Sequence, residues 1–167
     1  DEKKVSKKMH VFYNPVMKLN RDISILLLNS IEDMNMQIAD PLAATGVRGI
    51  RFLLELKEGK IKNISFNDYK TSEIIKKNLS LNNIKADVEV HSKDAIRFLL
   101  DSKGFDYIDI DPFGSPNPFL ESSILRLSRN GILAVTATDT SALAGSSLNA
   151  CLRKYWAKPL RNYMMHE

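Results

Sequence analysis

A repeated pairing of a short apolar run with an amphipathic one constrains this chain more than anything else in it. Gln37-Asp40, Ile61-Asn67, Ala86-His91, Phe105-Asp111 and Ile132-Thr138 read as strands, each ending in a small or acidic residue. Between them, the spacing predicts helices over Val47-Leu56, Ser72-Asn82, Ala95-Leu100 and Pro118-Leu127, the last with Asn117 as N-cap and Pro118 in its first position. Ile23, Leu26, Leu27 and Ile31 predict a further helix within Arg21-Met34, ahead of the first strand. Strand, crossover helix and parallel strand in this repeat give an α/β fold with a doubly wound parallel sheet. In such sheets ligands lie beyond the carboxyl ends of the strands, so the residues that follow each strand are where chemistry is expected.

Composition narrows the functional classes. At 167 residues the chain suits one domain with a substantial core. Its single cysteine, Cys151, forbids an internal disulfide and reads as a buried small apolar residue. The scattered His10, His91 and His166 offer no metal-ligand spacing, so no metal is expected and a reducing cytoplasm is the expected location. The aliphatic stretch around Ile23 to Leu28 is far too short to cross a bilayer, which predicts a soluble protein with no membrane partner. A net charge of +4 and a pI near 9.1 mildly favour a polyanionic partner. The start at Asp1 without methionine, and the stop at His166-Glu167 just after a patterned segment, predict a fragment.

The turn after the first strand, Asp40-Pro41-Leu42-Ala43-Ala44-Thr45-Gly46-Val47-Arg48-Gly49-Ile50-Arg51, is built of small residues and opens a helix. Thr45 and Gly46 let a ligand approach the backbone, and the helix start offers free N–H donors. Only Gly46 and Gly49 occupy the places of a dinucleotide-binding G-x-G-x-x-G, which disfavours a nicotinamide dehydrogenase. About twenty residues on, Asp68 stands where an acid accepts hydrogen bonds from both hydroxyls of an adenosine ribose. Asp94, followed by Ala95, suits the adenine amine and ring edge, although Asp94 reads equally well as an N-cap. These positions together fit S-adenosylmethionine, whose carboxylate needs a cation, and Arg21, Arg48 and Arg51 are the candidates.

At the end of the fourth strand, Asp109-Ile110-Asp111-Pro112-Phe113-Gly114-Ser115-Pro116 resembles the Asp/Asn-Pro-Pro-aromatic motif of methyltransferases that act on the amino groups of bases. An exocyclic amine is a poor nucleophile because its lone pair is delocalised into the ring. Hydrogen bonds from it to the Asp111 carboxylate and the Pro112 carbonyl favour a pyramidal nitrogen aimed at a sulfonium methyl. Either Asp111 or water can take the departing proton. Phe113 supplies a stacking surface for an unstacked base, and Phe12 a second aromatic wall if residues 1–20 fold over the pocket. No cysteine follows Pro112, which argues against covalent pyrimidine C5 chemistry.

The chain as a whole resembles the tRNA (guanine-26 N2,N2)-dimethyltransferases of archaea and eukaryotes. The resemblance rests on Phe12 to Asp22, on Ala44 to Arg51 and on Asp109 to Pro116. It continues through Val135-Thr136-Ala137-Thr138-Asp139-Thr140, Cys151-Leu152-Arg153-Lys154-Tyr155, Pro159-Leu160-Arg161 and His166-Glu167. It implies a Rossmann-like class I fold over 21–167, with the last sheet strands and a C-terminal tRNA-holding domain missing. It further implies a cofactor site of Arg21, Arg51, Asp68, Asp94 and Ala95, a base pocket of Phe12, Asp111, Pro112 and Phe113, tRNA as partner, and no obligatory protein partner. The basic-aromatic run Arg153 to Arg161 reads equally as a phosphate contact or as an ordinary charged helix face. Two competing readings remain at this level: a methyltransferase for another base amine, such as ribosomal RNA guanine N2 or DNA adenine N6, and a cofactor- or RNA-binding module without turnover.

Overall fold

A computed structural model describes residues 13–159. Its centre is a five-stranded parallel sheet in the order β3-β2-β1-β4-β5, formed by β1 (Met36–Asp40), β2 (Ile61–Asn67), β3 (Val88–His91), β4 (Phe105–Ile110) and β5 (Leu127–Val135). The crossovers are α2 (Val47–Glu55), α3 (Ser72–Leu81), α4 (Ala95–Asp101) and α5 (Asn117–Arg126); α1 (Lys18–Ser30) precedes the sheet, and α6 (Thr140–Leu143) and α7 (Leu148–Tyr155) follow it. The expected doubly wound architecture is thus observed. Strand order reverses at β1, which pairs with β2 on one side and β4 on the other and so opens a crevice at their carboxyl ends.

Alternation along the strands divides the core. Ile38 and Tyr107 join Leu28, Phe52, Phe66 and Ile75 on one face, under α1, α2 and α3. Ala39, Ile108 and Ile110 turn to the other face and pack with Phe98 and Leu99 of α4. Phe52 meets Tyr107 edge to face, with ring centroids 5.6 Å apart.

Several boundaries differ from the sequence expectation. The Asn14 side chain caps a 3-10 turn at Pro15–Met17, accepting from the Val16 N–H, and this turn runs straight into α1, which therefore starts before Arg21. The same helix stops at Ser30, short of Met34. Buried Lys60 donates its ammonium to the carbonyls of Ile31 and Asp33 and holds the chain in a turn there. On β5, pairing with β4 begins at Leu127 opposite Phe105 and resumes at Ile132 opposite Tyr107, with an irregularity between in which Asn130 adopts φ +63°. β5 also ends at Val135 rather than Thr138, and β3 is shorter than expected.

Candidate active site

A cavity of about 600 Å³ opens at the carboxyl ends of β1, β2 and β4. Tyr13, Asn14, Met17 and Arg21 form one wall; Asp40, Leu42 to Thr45, Val47, Arg48 and Asp68 form its floor and opposite side. Asp111, Pro112 and Phe113 complete it together with Phe119 and Thr138. Among the residues expected at the site, Arg21, Thr45, Asp68, Asp111, Pro112 and Phe113 are therefore brought together.

Gly46 adopts φ +74° at the turn into α2, a left-handed conformation that favours glycine; it is not itself a lining residue, though its chain neighbours Thr45 and Val47 are. Asp68 is held by three backbone donors: Ala44 N–H gives 3.0 Å to Oδ2, while Lys70 and Thr71 N–H give 2.9 and 3.0 Å to Oδ1. Oδ1 thereby uses both of its lone pairs, and Oδ2 keeps one for a further donor. Buried Asn67 ties the neighbouring loops together, donating to the carbonyls of Pro41 and Lys93 and accepting from the Lys93 N–H.

Arg21 is 5% exposed, and its guanidinium lies over the Tyr13 ring, 5.3 Å from the centroid. It donates to the Asn14 carbonyl at 3.3 Å, while its buried Nε has no hydrogen-bond partner among the described residues. Burial lowers its pKa from the ordinary arginine value, with Arg48 and Arg51 adding to the effect and Tyr13 and Asp111 opposing it.

The other two arginine candidates are engaged elsewhere. Arg51 pairs with Asp22 at 2.7 Å and with Glu55 at 2.6 Å, and does not line the cavity; it could reach it only by releasing both acids. Arg48, considered from sequence as a partner for a ligand carboxylate, is committed to the protein's own acids. Its Nε lies 3.2 Å from Asp109 Oδ1, and one terminal nitrogen gives 3.0 Å to Asp111 Oδ2 and 2.7 Å to Asn20 Oδ1. The other reaches Ser24 Oγ at 3.1 Å. Asp94 N-caps α4 through a 3.1 Å bond from the Arg97 N–H, and Ala95 is buried; neither lines the cavity. Phe12 lies outside the described residues.

Burial raises the Asp40 carboxyl to about 8, with nearby Asp109 adding to the effect. Asp109 is raised to about 6 by burial, against the pull of Arg48 and of a 2.7 Å hydrogen bond from the Tyr107 hydroxyl. Burial lowers the Arg48 pKa, but Asp109, Asp40 and Asp111 outweigh it and raise the value overall. At the far rim, Gly114 N–H donates to Thr138 Oγ1 at 2.8 Å and Thr138 N–H to the Gly114 carbonyl at 3.0 Å, so the loops after β4 and β5 are bound to each other. Sequence reasoning gave no role to Asn14, Asn20, Ser24, Asp40 or Asn67. The one signal pointing toward the Arg48 cluster was the spacing of Asp109 and Asp111 two residues apart at a strand end, which places them on one side of the sheet.

Comparison with known proteins decides the lineage. All 167 residues match the family described as N2,N2-dimethylguanosine tRNA methyltransferase. The chain belongs to that family. It is 47% identical over 173 residues to a tRNA (guanine(26)-N(2)/guanine(27)-N(2))-dimethyltransferase of Aquifex aeolicus, an alignment covering 99% of this chain and 44% of that protein. It is 46% identical to a tRNA (guanine(26)-N(2))-dimethyltransferase of Methanobrevibacter smithii, over 98% of this chain and 43% of the relative. The fold matches that of Trm1 from Pyrococcus horikoshii, solved with S-adenosyl-L-methionine, with a TM-score of 0.86 and 38% identity over 96% of this chain and 47% of that one. This member of the N2,N2-dimethylguanosine tRNA methyltransferase family thus spans a little under half the length of the relatives it matches. Among its described residues, no helix is long and apolar enough to cross a membrane, and no group of side chains is placed to hold a metal.

Proposed function

We propose that this chain binds S-adenosylmethionine and carries the residues that direct one or two methyl groups to the exocyclic N2 of guanine-26 in tRNA. The observation that carries the reading is the convergence of Arg21, Asp68 and Asp111 on one cavity. The orphaned Nε of Arg21 fits a cofactor carboxylate, and the backbone-held Asp68 fits the ribose hydroxyls. Thr45 and Gly46 give the backbone close access, and Asp94 and Ala95 stand at the next strand end for the adenine. When bound, S-adenosylmethionine supplies an electrophilic sulfonium methyl.

The chain's own residues prepare the acceptor. Asp111 accepts a hydrogen bond from the guanine amine through Oδ1, the oxygen that Arg48 leaves open. The Pro112 carbonyl takes the second N–H, and the amine lone pair is directed at the methyl. As the N–C bond forms and the C–S bond breaks, the amine loses a proton, with Asp111 as the nearest acceptor. Phe113, half exposed at the rim, stacks on the base, and Phe12, next in the chain to cavity-lining Tyr13, supplies the opposite wall. The transfer RNA contacts Arg153, Lys158 and neighbouring cations through its phosphates. We place the reaction in the cytoplasm, a compartment that suits a chain whose only cysteine is unpaired and buried, with no obligatory protein partner.

Nucleoside mass spectrometry of a guanine-26 tRNA transcript, incubated with S-adenosylmethionine and either the native protein or Asp111→Ala, tests this. Methylated guanosine that appears at position 26 with the native protein and vanishes with the variant supports the reading. A native protein that binds S-adenosylmethionine yet leaves the tRNA unmodified removes the substrate half of it.

A further inference from the structure

We propose that Arg48 is a positioning residue that fixes Asp111 as a one-sided acceptor for the substrate amine. The inference rests on the reading of Asp111 given above. Asp111 follows β4 directly, and its side chain is 30% exposed at a cavity wide enough to let a free carboxylate turn. Its hydrogen bonding within the described residues comes from Arg48 alone, to Oδ2 at 3.0 Å. One oxygen is thereby held, and Oδ1 is left as the acceptor.

Arg48 can impose this because it is itself immobilised. Its side chain is 7% exposed, and its three nitrogens reach Ser24 and Asn20 of α1 and Asp109 of β4 as well as Asp111. A planar guanidinium can meet acceptors in several fixed directions at once, whereas a lysine ammonium would have to choose among them. An arginine also has no proton to surrender near neutral pH, so it orients the carboxylate without competing for the proton released from the amine. The nitrogen on Asp111 is shared with Asn20, the neighbour of Arg21. Arg48 thus joins the helix that carries Asn20 to the strand end that presents Asp111.

The test is a double-mutant cycle under single-turnover conditions, with S-adenosylmethionine affinity measured by calorimetry in parallel. Asp111→Asn alone comes first: full activity in this variant would refute the reading of Asp111 itself. Given a loss there, Arg48→Lys and Arg48→Gln should each lower the methyl-transfer rate by about tenfold or more, since small misplacements of reacting groups are costly. S-adenosylmethionine affinity should stay within about threefold, and in the Asp111→Asn background the further loss should nearly vanish, because positioning acts through the missing group. Equal losses in both backgrounds, an unchanged rate, or a fall in cofactor affinity that tracks a fall in Tm would overturn the proposal. Should the Arg48 variants fail to fold, Asn20→Ala replaces them, with an expected loss of about threefold that disappears in the Asp111→Asn background; an unchanged rate in Asn20→Ala would then count against the clamp.

Discussion

Gly49 lets α2 lie directly on Phe66: a Cβ at position 49 would stand 2.3 Å from the Phe66 ring and 2.7 Å from Ile64 Cδ1. Both neighbours are fully buried, so neither can swing aside. Gly49→Ala should therefore cost about 1–3 kcal/mol of stability, despite the better helix propensity of alanine. Denaturant unfolding followed by circular dichroism measures it, and a stabilised variant would show that the helix can lift from the sheet freely.

Arg21→Ala should weaken S-adenosylmethionine binding by about tenfold or more, the scale of a lost charge-assisted hydrogen bond. Adenosine, which has no carboxylate, should bind the variant and the native protein equally. Calorimetry with the two ligands separates this outcome from general damage to the cavity, which would weaken both.

The buried Asp40 gives a signature in pH. Its folded pKa of about 8 lies above the ordinary carboxylate range, so the folded state holds a proton that the unfolded chain has released. That contribution to stability is complete below about pH 4 and is lost as pH rises through about 8. Asp109, raised to about 6, adds to the same slope. Asp40→Asn stays neutral throughout, so its Tm relative to the native protein should climb between about pH 5 and pH 8. A difference in Tm that stays flat across this range would mean that Asp40 is ionised when folded.

Trp156 is 89% exposed at the end of α7, beside exposed Arg153 and Lys158. If this surface meets tRNA, Arg153→Ala and Lys158→Ala should each lower the slope of log affinity against log salt by roughly 0.7–0.9. Trp156→Ala should weaken tRNA binding by about 1–3 kcal/mol, the scale of one lost stacking contact. Fluorescence titrations with labelled tRNA at several salt concentrations provide both numbers, and unaltered slopes would place the RNA elsewhere.

The sheet was legible because its strands carry apolar residues at spacings that local pattern alone picks out, as with Ile64 and Phe66 on either side of Ser65 in Ile61–Asn67. Boundaries set by distant partners were not. The end of α1 depends on Lys60, 29 residues away from Ile31 in the chain, and no local pattern announces that contact. Motif residues at strand ends pointed correctly to the cavity for Asp68 and Asp111. The three arginines could not be sorted in the same way, because their roles depend on how α1 crosses α2. Arg48 turns inward between Ser24 and Asp109, Arg51 turns to Asp22, and Arg21 is left facing the cavity. Propensity and spacing are nearly identical for all three.

Asp106 accepts a hydrogen bond at 2.8 Å from the Gln37 N–H, 69 residues away in the chain, and cavity residues run from Tyr13 to Thr138. Contacts this remote close late, because the entropy of long loops opposes them until neighbouring strands are in place. The cavity is therefore complete only when segments from both ends of the described residues are in place. If S-adenosylmethionine binds this cavity as proposed, it selects the finished domain and withdraws it from the unfolding equilibrium, so added methyl donor should slow proteolysis of the chain.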